Sequence, residues 1–85
     1  MKKYIMFVNN SGLYSNSSKN VFTKEEVLQE LKDWSDNDVI TVNEKELTVE
    51  ELFDDCLEFT NEVYCENMVE YGDDWVNLGI FEINE

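Results

Sequence analysis

The sequence predicts an α+β domain in which two helices pack against one antiparallel or mixed sheet, with the element order β-α-β-β-α-β. Three observations support this prediction. The segments 23–26 and 48–51 carry the same helix-start pattern. Apolar runs typical of strands lie near the beginning, the middle and the end of the chain. The length of 85 residues suits one small domain, so we interpret residues 1–85 as a single acidic domain.

The first strand is predicted at residues 3–8, where Lys-Tyr-Ile-Met-Phe-Val is an almost unbroken apolar run. Such runs are typical of strands that are covered on both faces. The run lacks a long hydrophobic region and a small-residue cleavage site, which favours a strand over a signal peptide. Residues 9–20 are rich in Asn and Ser and predict a mobile surface loop, which we favour over a second contact element.

The first helix is predicted to begin after Thr23 and to end at about 33–35. Thr23 is a suitable N-cap, and Glu26 stands three residues later, as a capping box requires. Phe22 and Val27 flank this box at the positions of a hydrophobic staple. The pattern therefore defines the helix start more sharply than the helix end.

A β-hairpin is predicted at residues 39–47, with its turn at Asn43-Glu44, because Asn tolerates positive φ values. The final strand is predicted at residues 75–83, where Trp, Val, Leu, Ile and Phe recur. Both predictions depend on short apolar segments bounded by polar turn residues.

The second helix is predicted to begin after Thr48, with Glu51 completing a second capping box. Its apolar half continues to about Tyr71, and Gly72 then supplies a suitable C-terminal stop. On this helix the two cysteines, Cys56 and Cys65, would be separated by about 13 Å of rise, too far for a disulfide. We expect Cys56 in the core and Cys65 partly exposed, as two free thiols in a reducing cytosol.

The charge of the chain is strongly one-signed. Its formal net charge is −14, from 20 acids and 6 lysines, and no histidine is present. From Glu46 to Glu85 there is no Lys or Arg at all. Acidic proteins are repelled by nucleic acid and by anionic membranes, and they are attracted to basic proteins.

Five acids of the predicted second helix recur at intervals of four and would form one row of carboxylates: Asp54, Glu58, Glu62, Glu66 and Glu70. Like charges at this spacing destabilise a helix by about 0.2–0.5 kcal/mol per pair, so we expect the row to serve binding. The predicted partner-binding residues are Glu51, Asp54, Asp55, Glu58, Glu62, Glu66, Glu70, Asp73 and Asp74. Apolar anchors are expected among Phe59, Tyr64, Tyr71 and Trp75.

The first functional hypothesis is a DNA-mimic inhibitor that blocks the nucleic-acid-binding site of a basic DNA-binding protein. A phage or mobile element would use such a protein against a host restriction or CRISPR effector. The alternative is an acidic immunity protein or antitoxin that neutralises a basic nuclease without mimicry. Both hypotheses imply a cytoplasmic protein, in the host if viral, that is a monomer or small homo-oligomer and contacts neither nucleic acid nor membrane directly.

Catalysis and cofactor binding are not expected. The chain has no His to act as a base near neutral pH and no glycine-rich phosphate loop. A weaker alternative is a calcium site, because Asp33, Ser35, Asn37, Ile40, Thr41 and Glu44 have the spacing of an EF-hand loop. The position that requires Gly is Asp38, and the next capped helix begins too late, so we expect no metal.

Overall fold

The computed structural model describes residues 2–9, 12–16, 18–35, 39–42, 45–65 and 75–83. Their elements in chain order are β1 (Lys3–Val8), β2 (Gly12–Leu13), α1 (Lys24–Ser35), β3 (Val39–Val42), β4 (Lys45–Thr48), α2 (Val49–Cys56), β5 (Thr60–Tyr64) and β6 (Trp75–Ile83). Two helices pack on one six-stranded antiparallel sheet, which confirms the predicted α+β class. Two strands, β2 and β5, are additional to the predicted order.

The strand order in the sheet is β2-β1-β6-β5-β3-β4. β1 and β6 are antiparallel neighbours, with a register that extends from Lys3 opposite Ile83 to Val8 opposite Leu78. β6 and β5 therefore form the middle of the sheet, and the short β2 and the hairpin strand β4 form its edges. This arrangement keeps the longest strand, β6, away from an exposed edge.

Burial alternates along the strands and defines two faces of the sheet. On β1 the buried side chains are Tyr4, Met6 and Val8. Opposite them on β6, Ile80 and Leu78 are buried and Glu82 is half-buried. The Tyr4 ring contacts Phe53 of α2 edge to face, with ring centroids 5.1 Å apart. We call this side the helix-covered face and the opposite side the open face, on which neither described helix packs.

Both predicted capping boxes are present. The Thr48 backbone N–H donates to Glu51 Oε1 at 3.0 Å, and the Glu51 N–H donates to Thr48 Oγ1 at 3.2 Å. Thr23 and Glu26 make the same reciprocal pair at 2.8 and 3.2 Å. Lys19 pairs with Glu26 and, together with the Thr23 N–H, lowers the pKa of that carboxyl to about 2. The predicted helix starts are confirmed.

The predicted second helix is wrong from Leu57 to Cys65, and its remainder, residues 66–71 with the stop at Gly72, lies outside the described residues. Leu57 is extended, with φ −69° and ψ 122°, and Glu58 adopts a left-handed φ of 60°. Thr60–Tyr64 then forms β5, which pairs with both β6 and β3. β-Branched and aromatic side chains in this strand suit a sheet, and the strand satisfies the backbone groups between its two neighbours. Tertiary pairing therefore overrides the helical spacing of the apolar residues.

The predicted surface loop at 9–20 is also corrected. Gly12–Leu13 pairs with β1, and the following Tyr14 is buried. The Tyr14 ring lies edge to face on Trp34 at 5.0 Å, and its hydroxyl donates to Glu30 Oε2 at 3.1 Å. Strand pairing and aromatic burial therefore order the described part of a segment whose composition is typical of a loop.

The predicted hairpin and final strand are confirmed as β3, β4 and β6. The hairpin turn at Asn43-Glu44 lies outside the described residues. Across the described ranges, neither helix combines the length and the apolar composition that a bilayer crossing requires.

Both cysteines are buried free thiols, so the prediction that Cys65 is partly exposed is wrong. Cys65 directly follows β5 and does not lie on a helix face beside the acids. Burial is the main reason that the pKa of each thiol rises to about 12. Neither thiol is therefore an activated nucleophile.

Candidate functional site

The predicted row of carboxylates does not form in the described part of the chain. Asp54 lies on α2, Glu58 lies in the left-handed turn, and Glu62 lies on β5 opposite Asn77. The row required one helix, and α2 ends before its second member. Four predicted partner-binding residues lie outside the described residues: Glu66, Glu70, Asp73 and Asp74.

A different group of acids is brought together by α2. Its exposed side carries four carboxylates, which we call the acidic helix surface: Glu50, Glu51, Asp54 and Asp55. Its other side buries Val49, Leu52, Phe53 and Cys56. The four acids form two pairs at the i,i+4 spacing, so their Cβ atoms are about 5–6 Å apart within each pair.

Glu50 is the member that the sequence prediction omitted. It stands four residues before Asp54 and so continues the spacing of the row, but the predicted set of partner-binding residues begins only at Glu51. The capping box contained the missing signal, because it fixes Thr48 as the N-cap and thereby places Glu50 in the first helical turn.

The electrostatics of this surface are unfavourable within the protein itself. Ion pairs in the described residues join Lys2 to Glu82 and Lys19 to Glu26, and neither includes an acid of α2. The last turn of α2 carries no basic residue. Asp54 and Asp55 lie in the half of the helix where the backbone dipole opposes negative charge. Helix stability therefore does not account for these two carboxylates.

Two of the four acids have structural partners. Glu51 belongs to the capping box, and Asp55 Oδ2 accepts a hydrogen bond from Asn61 Nδ2 at 2.7 Å. The same amide donates to the Asp55 main-chain oxygen at 3.1 Å, which ties β5 to the helix end. Glu50 and Asp54 have no hydrogen bond or ion pair within the described ranges. These two carboxylates are therefore the ones most available to a partner.

A cleft of about 340 Å³ adjoins the end of α2. The residues that line it are Val42, Lys45, Leu47, Asp55, Phe59 and Asn61. Phe59 is 61 % exposed, more than any other large apolar side chain in the described residues. An exposed aromatic ring beside carboxylates supplies the apolar anchor that a binding surface requires.

The other predicted anchors lie elsewhere. Tyr64 and Trp75 are opposite each other on β5 and β6, with ring centroids 5.3 Å apart, on the open face. Tyr71 lies outside the described residues. Only Phe59 therefore combines with the acidic helix surface.

The calcium alternative is not supported by the described part of the predicted loop, whereas Asn37, Asp38 and Glu44 lie outside the described residues. Val39–Val42 is strand β3, which pairs with β4 and β5, and the next helix begins only at Val49. The backbone around Ile40 is thus committed to the sheet and does not curve around an ion. Within the described residues, no three of His, Cys, Asp or Glu are close enough to hold a metal ion.

A scan against protein-family models found no match, and searches of curated proteins and of solved structures found no similar protein. The functional argument therefore starts from the acidic helix surface and the cleft beside it.

Proposed function

We propose that this protein is a small inhibitor that binds a basic nucleic-acid-binding protein through the acidic helix surface and Phe59. The proposal depends on the four carboxylates of α2. None of them forms an ion pair with a lysine in the described residues, and the helix dipole is unfavourable for two of them, Asp54 and Asp55. Glu50 and Asp54 make no hydrogen bond or ion pair in the described residues, so their charge is available to a cationic partner. The net charge of −14 would accelerate that association and make it sensitive to salt.

The extent of the surface favours local covering of a basic site over imitation of a DNA strand. An eight-residue helix is about 12 Å long, which corresponds to about three or four phosphates along one strand. A compact charged patch with an aromatic anchor is the kind of surface that an immunity protein or antitoxin uses. DNA mimicry is the second candidate function, favoured by the absence of Lys and Arg from Glu46 to Glu85.

The proposal is tested with immobilised protein and a cell lysate at about 50 mM and about 300 mM salt, because screening increases strongly over this range. The test variant is Glu50→Lys/Asp54→Lys. Both residues are exposed and lack partners in the described structure, so the fold should be retained. The matched control is Glu25→Lys/Glu46→Lys, which makes the same charge change at exposed positions outside α2.

We expect the wild type and the control to retain a basic protein that the α2 variant does not retain. The wild type should then inhibit nucleic-acid binding by that protein, and Phe59→Ala should weaken the inhibition by about tenfold or more. Equal retention by all three proteins would overturn the proposal. Competition with duplex DNA separates the two modes, because a mimic is displaced by DNA and a protein bound beside the DNA site is not.

A further inference from the structure

The cleft beside α2 combines an apolar floor with polar groups. Strand register places Val42 and Leu47 on the helix-covered face, because Val63 and Ile40, their neighbours across the strands, are buried. Four further side chains complete the lining: Lys45, Asp55, Phe59 and Asn61. The volume of about 340 Å³ is near the lower end of the range of ligand sites. The cleft therefore suits one long side chain of a partner.

Asn61 holds the Asp55 carboxylate in one orientation. The Asn61 Nδ2 group donates to Asp55 Oδ2 at 2.7 Å and to the main-chain oxygen of Asp55 at 3.1 Å. Asp55 is exposed, and its other carboxylate oxygen, Oδ1, accepts no hydrogen bond within the described ranges. A carboxylate that is already oriented loses less conformational freedom when it binds a cation. Asp55 Oδ1 is therefore a pre-positioned acceptor beside the cleft.

The Phe59 ring is presented by the turn that follows α2. The Phe59 N–H donates to the Cys56 oxygen at 3.1 Å, and the Glu58 N–H donates to the Ile80 oxygen at 2.7 Å. These main-chain bonds tie the turn to the helix end and to β6. The ring itself remains largely exposed, so that a planar cation can approach it.

We propose that this cleft binds an arginine side chain of the basic partner, with the guanidinium stacked on Phe59 and hydrogen-bonded to Asp55. The inference rests on the proposed function and names the residue that the partner inserts. The aliphatic stem of arginine suits the apolar floor, its planar group suits the aromatic ring, and its N–H donors suit the carboxylate. Lysine lacks the planar donor edge, and its ammonium is more strongly hydrated.

Lys45 is the lining residue that opposes a cation. Its side chain is exposed, and it forms no ion pair within the described residues. An anion could pair with Lys45, but it would lie beside Asp55 and would approach a molecule with a net charge of −14. Charge complementarity therefore favours a cationic occupant, and Lys45 should lower its affinity.

The test uses isotopically labelled protein and three blocked peptides, Gly-Gly-X-Gly-Gly, in which X is arginine, lysine or citrulline. Chemical shifts of the Asn61 side-chain amide and the Phe59 ring are followed up to about 20 mM peptide, a range that covers millimolar dissociation constants. We expect the arginine peptide to bind at least about threefold more tightly than the lysine peptide, the order of an exposed cation–π contact. Citrulline has nearly the shape of arginine without its charge and should bind most weakly.

Substitutions separate the contributions of the lining residues. Phe59→Leu and Asp55→Asn should each weaken binding of the arginine peptide by at least about threefold. Lys45→Gln should strengthen it, because a like charge is removed. The Phe59 and Lys45 variants keep the bond between Asn61 and Asp55, so their effects do not depend on the helix end. The matched control is Glu25→Gln, which removes an exposed acid of α1 and should leave the affinity unchanged.

Equal shifts with all three peptides, or no shift with any of them, would overturn the arginine inference. Weaker binding by Lys45→Gln would also overturn it, because the cleft would then prefer an anion. The inhibitor proposal has a separate readout, which is retention of a basic protein that depends on Glu50 and Asp54. Retention without arginine binding would remove only the arginine contact, whereas arginine binding without retention would remove the inhibitor proposal.

Discussion

At the residue scale, the two cysteines show how burial alone sets the chemistry of a side chain. Cys56 is enclosed by the apolar side of α2, and Cys65 is enclosed at the end of β5. Transfer of a thiolate out of water is unfavourable, so the protonated form is stabilised and the pKa rises. The charge of Asp55 adds to this effect for Cys56, and Cys56 adds to it for Cys65.

This perturbation predicts a loss of stability in alkaline solution. Each thiol has a pKa near 9.0 when unfolded and about 12 when folded, so its full contribution is present below pH 9. As pH rises from 9 towards 12, only the unfolded state releases protons, and folding becomes less favourable. Between pH 9 and pH 10, the free energy of unfolding measured in urea should fall by about 1–2 kcal/mol more for the wild type than for the variant Cys56→Ala/Cys65→Ala. Parallel pH profiles for the two proteins would contradict this expectation.

At the element scale, the decisive event is the change from helix to strand between Cys56 and Thr60. Glu58 is the hinge of this change, because its φ of 60° redirects the chain and its N–H donates to the Ile80 oxygen at 2.7 Å. A left-handed conformation costs about 1–2 kcal/mol for a residue with a Cβ atom, and Gly avoids that cost.

Substitution at residue 58 therefore distinguishes a turn from a continuous helix. In the turn, Glu58→Gly should be more stable than Glu58→Ala by about 1 kcal/mol, because only Gly adopts positive φ without strain. In a helix the order would reverse by about the same amount, because Gly is the poorer helix former. The free energies of unfolding of the two variants, measured in urea, give the sign directly. Higher stability of the Ala variant would mean that the helix continues through this position.

The same segment shows which parts of the fold could be read from the sequence. Thr48 and Glu51 define the start of α2 correctly, because a capping box is a local interaction between near neighbours. The end of α2 could not be found in this way. Val63 fits an apolar helical stripe and equally fits a strand, and its choice depends on Val76 and Val42, which are distant in sequence.

The candidate site could likewise be predicted from the sequence only as far as the end of α2. Glu51, Asp54 and Asp55 were identified because they lie in the part of α2 that the capping box fixes. Glu62 was assigned to the same surface, but the strand β5 places it on the open face. The position of Glu62 depends on pairing between β5 and strands that are distant in sequence, and the spacing of charges along the chain does not predict that pairing.

At the scale of the whole molecule, the sheet separates two kinds of surface. The helix-covered side presents the acidic helix surface and Phe59, and the open face presents the apolar side chains of Ile5, Phe7 and Phe81. The proposed contact with a cationic partner therefore concerns only the helix-covered side.

The final prediction concerns the stability of the whole molecule and its dependence on salt. A net charge of −14 in a small domain produces repulsion among the acids, so screening should stabilise the fold. From about 0.01 M to about 1 M NaCl the Debye length falls from about 30 Å to about 3 Å. We expect the Tm to rise by about 4–8 °C, equivalent to about 1 kcal/mol for a domain of this size.

Two charge variants locate the origin of this effect. Each replacement of an acid by Lys adds two positive charges, so Glu50→Lys/Asp54→Lys and Glu25→Lys/Glu46→Lys both have a net charge of about −10. If the repulsion acts across the molecule, both variants should show a smaller and similar rise of Tm with salt. The Tm is measured at the same low micromolar concentration for all three proteins. A wild-type Tm that falls with salt would contradict the expectation, because attractive ion pairs would then outweigh the repulsion among the acids.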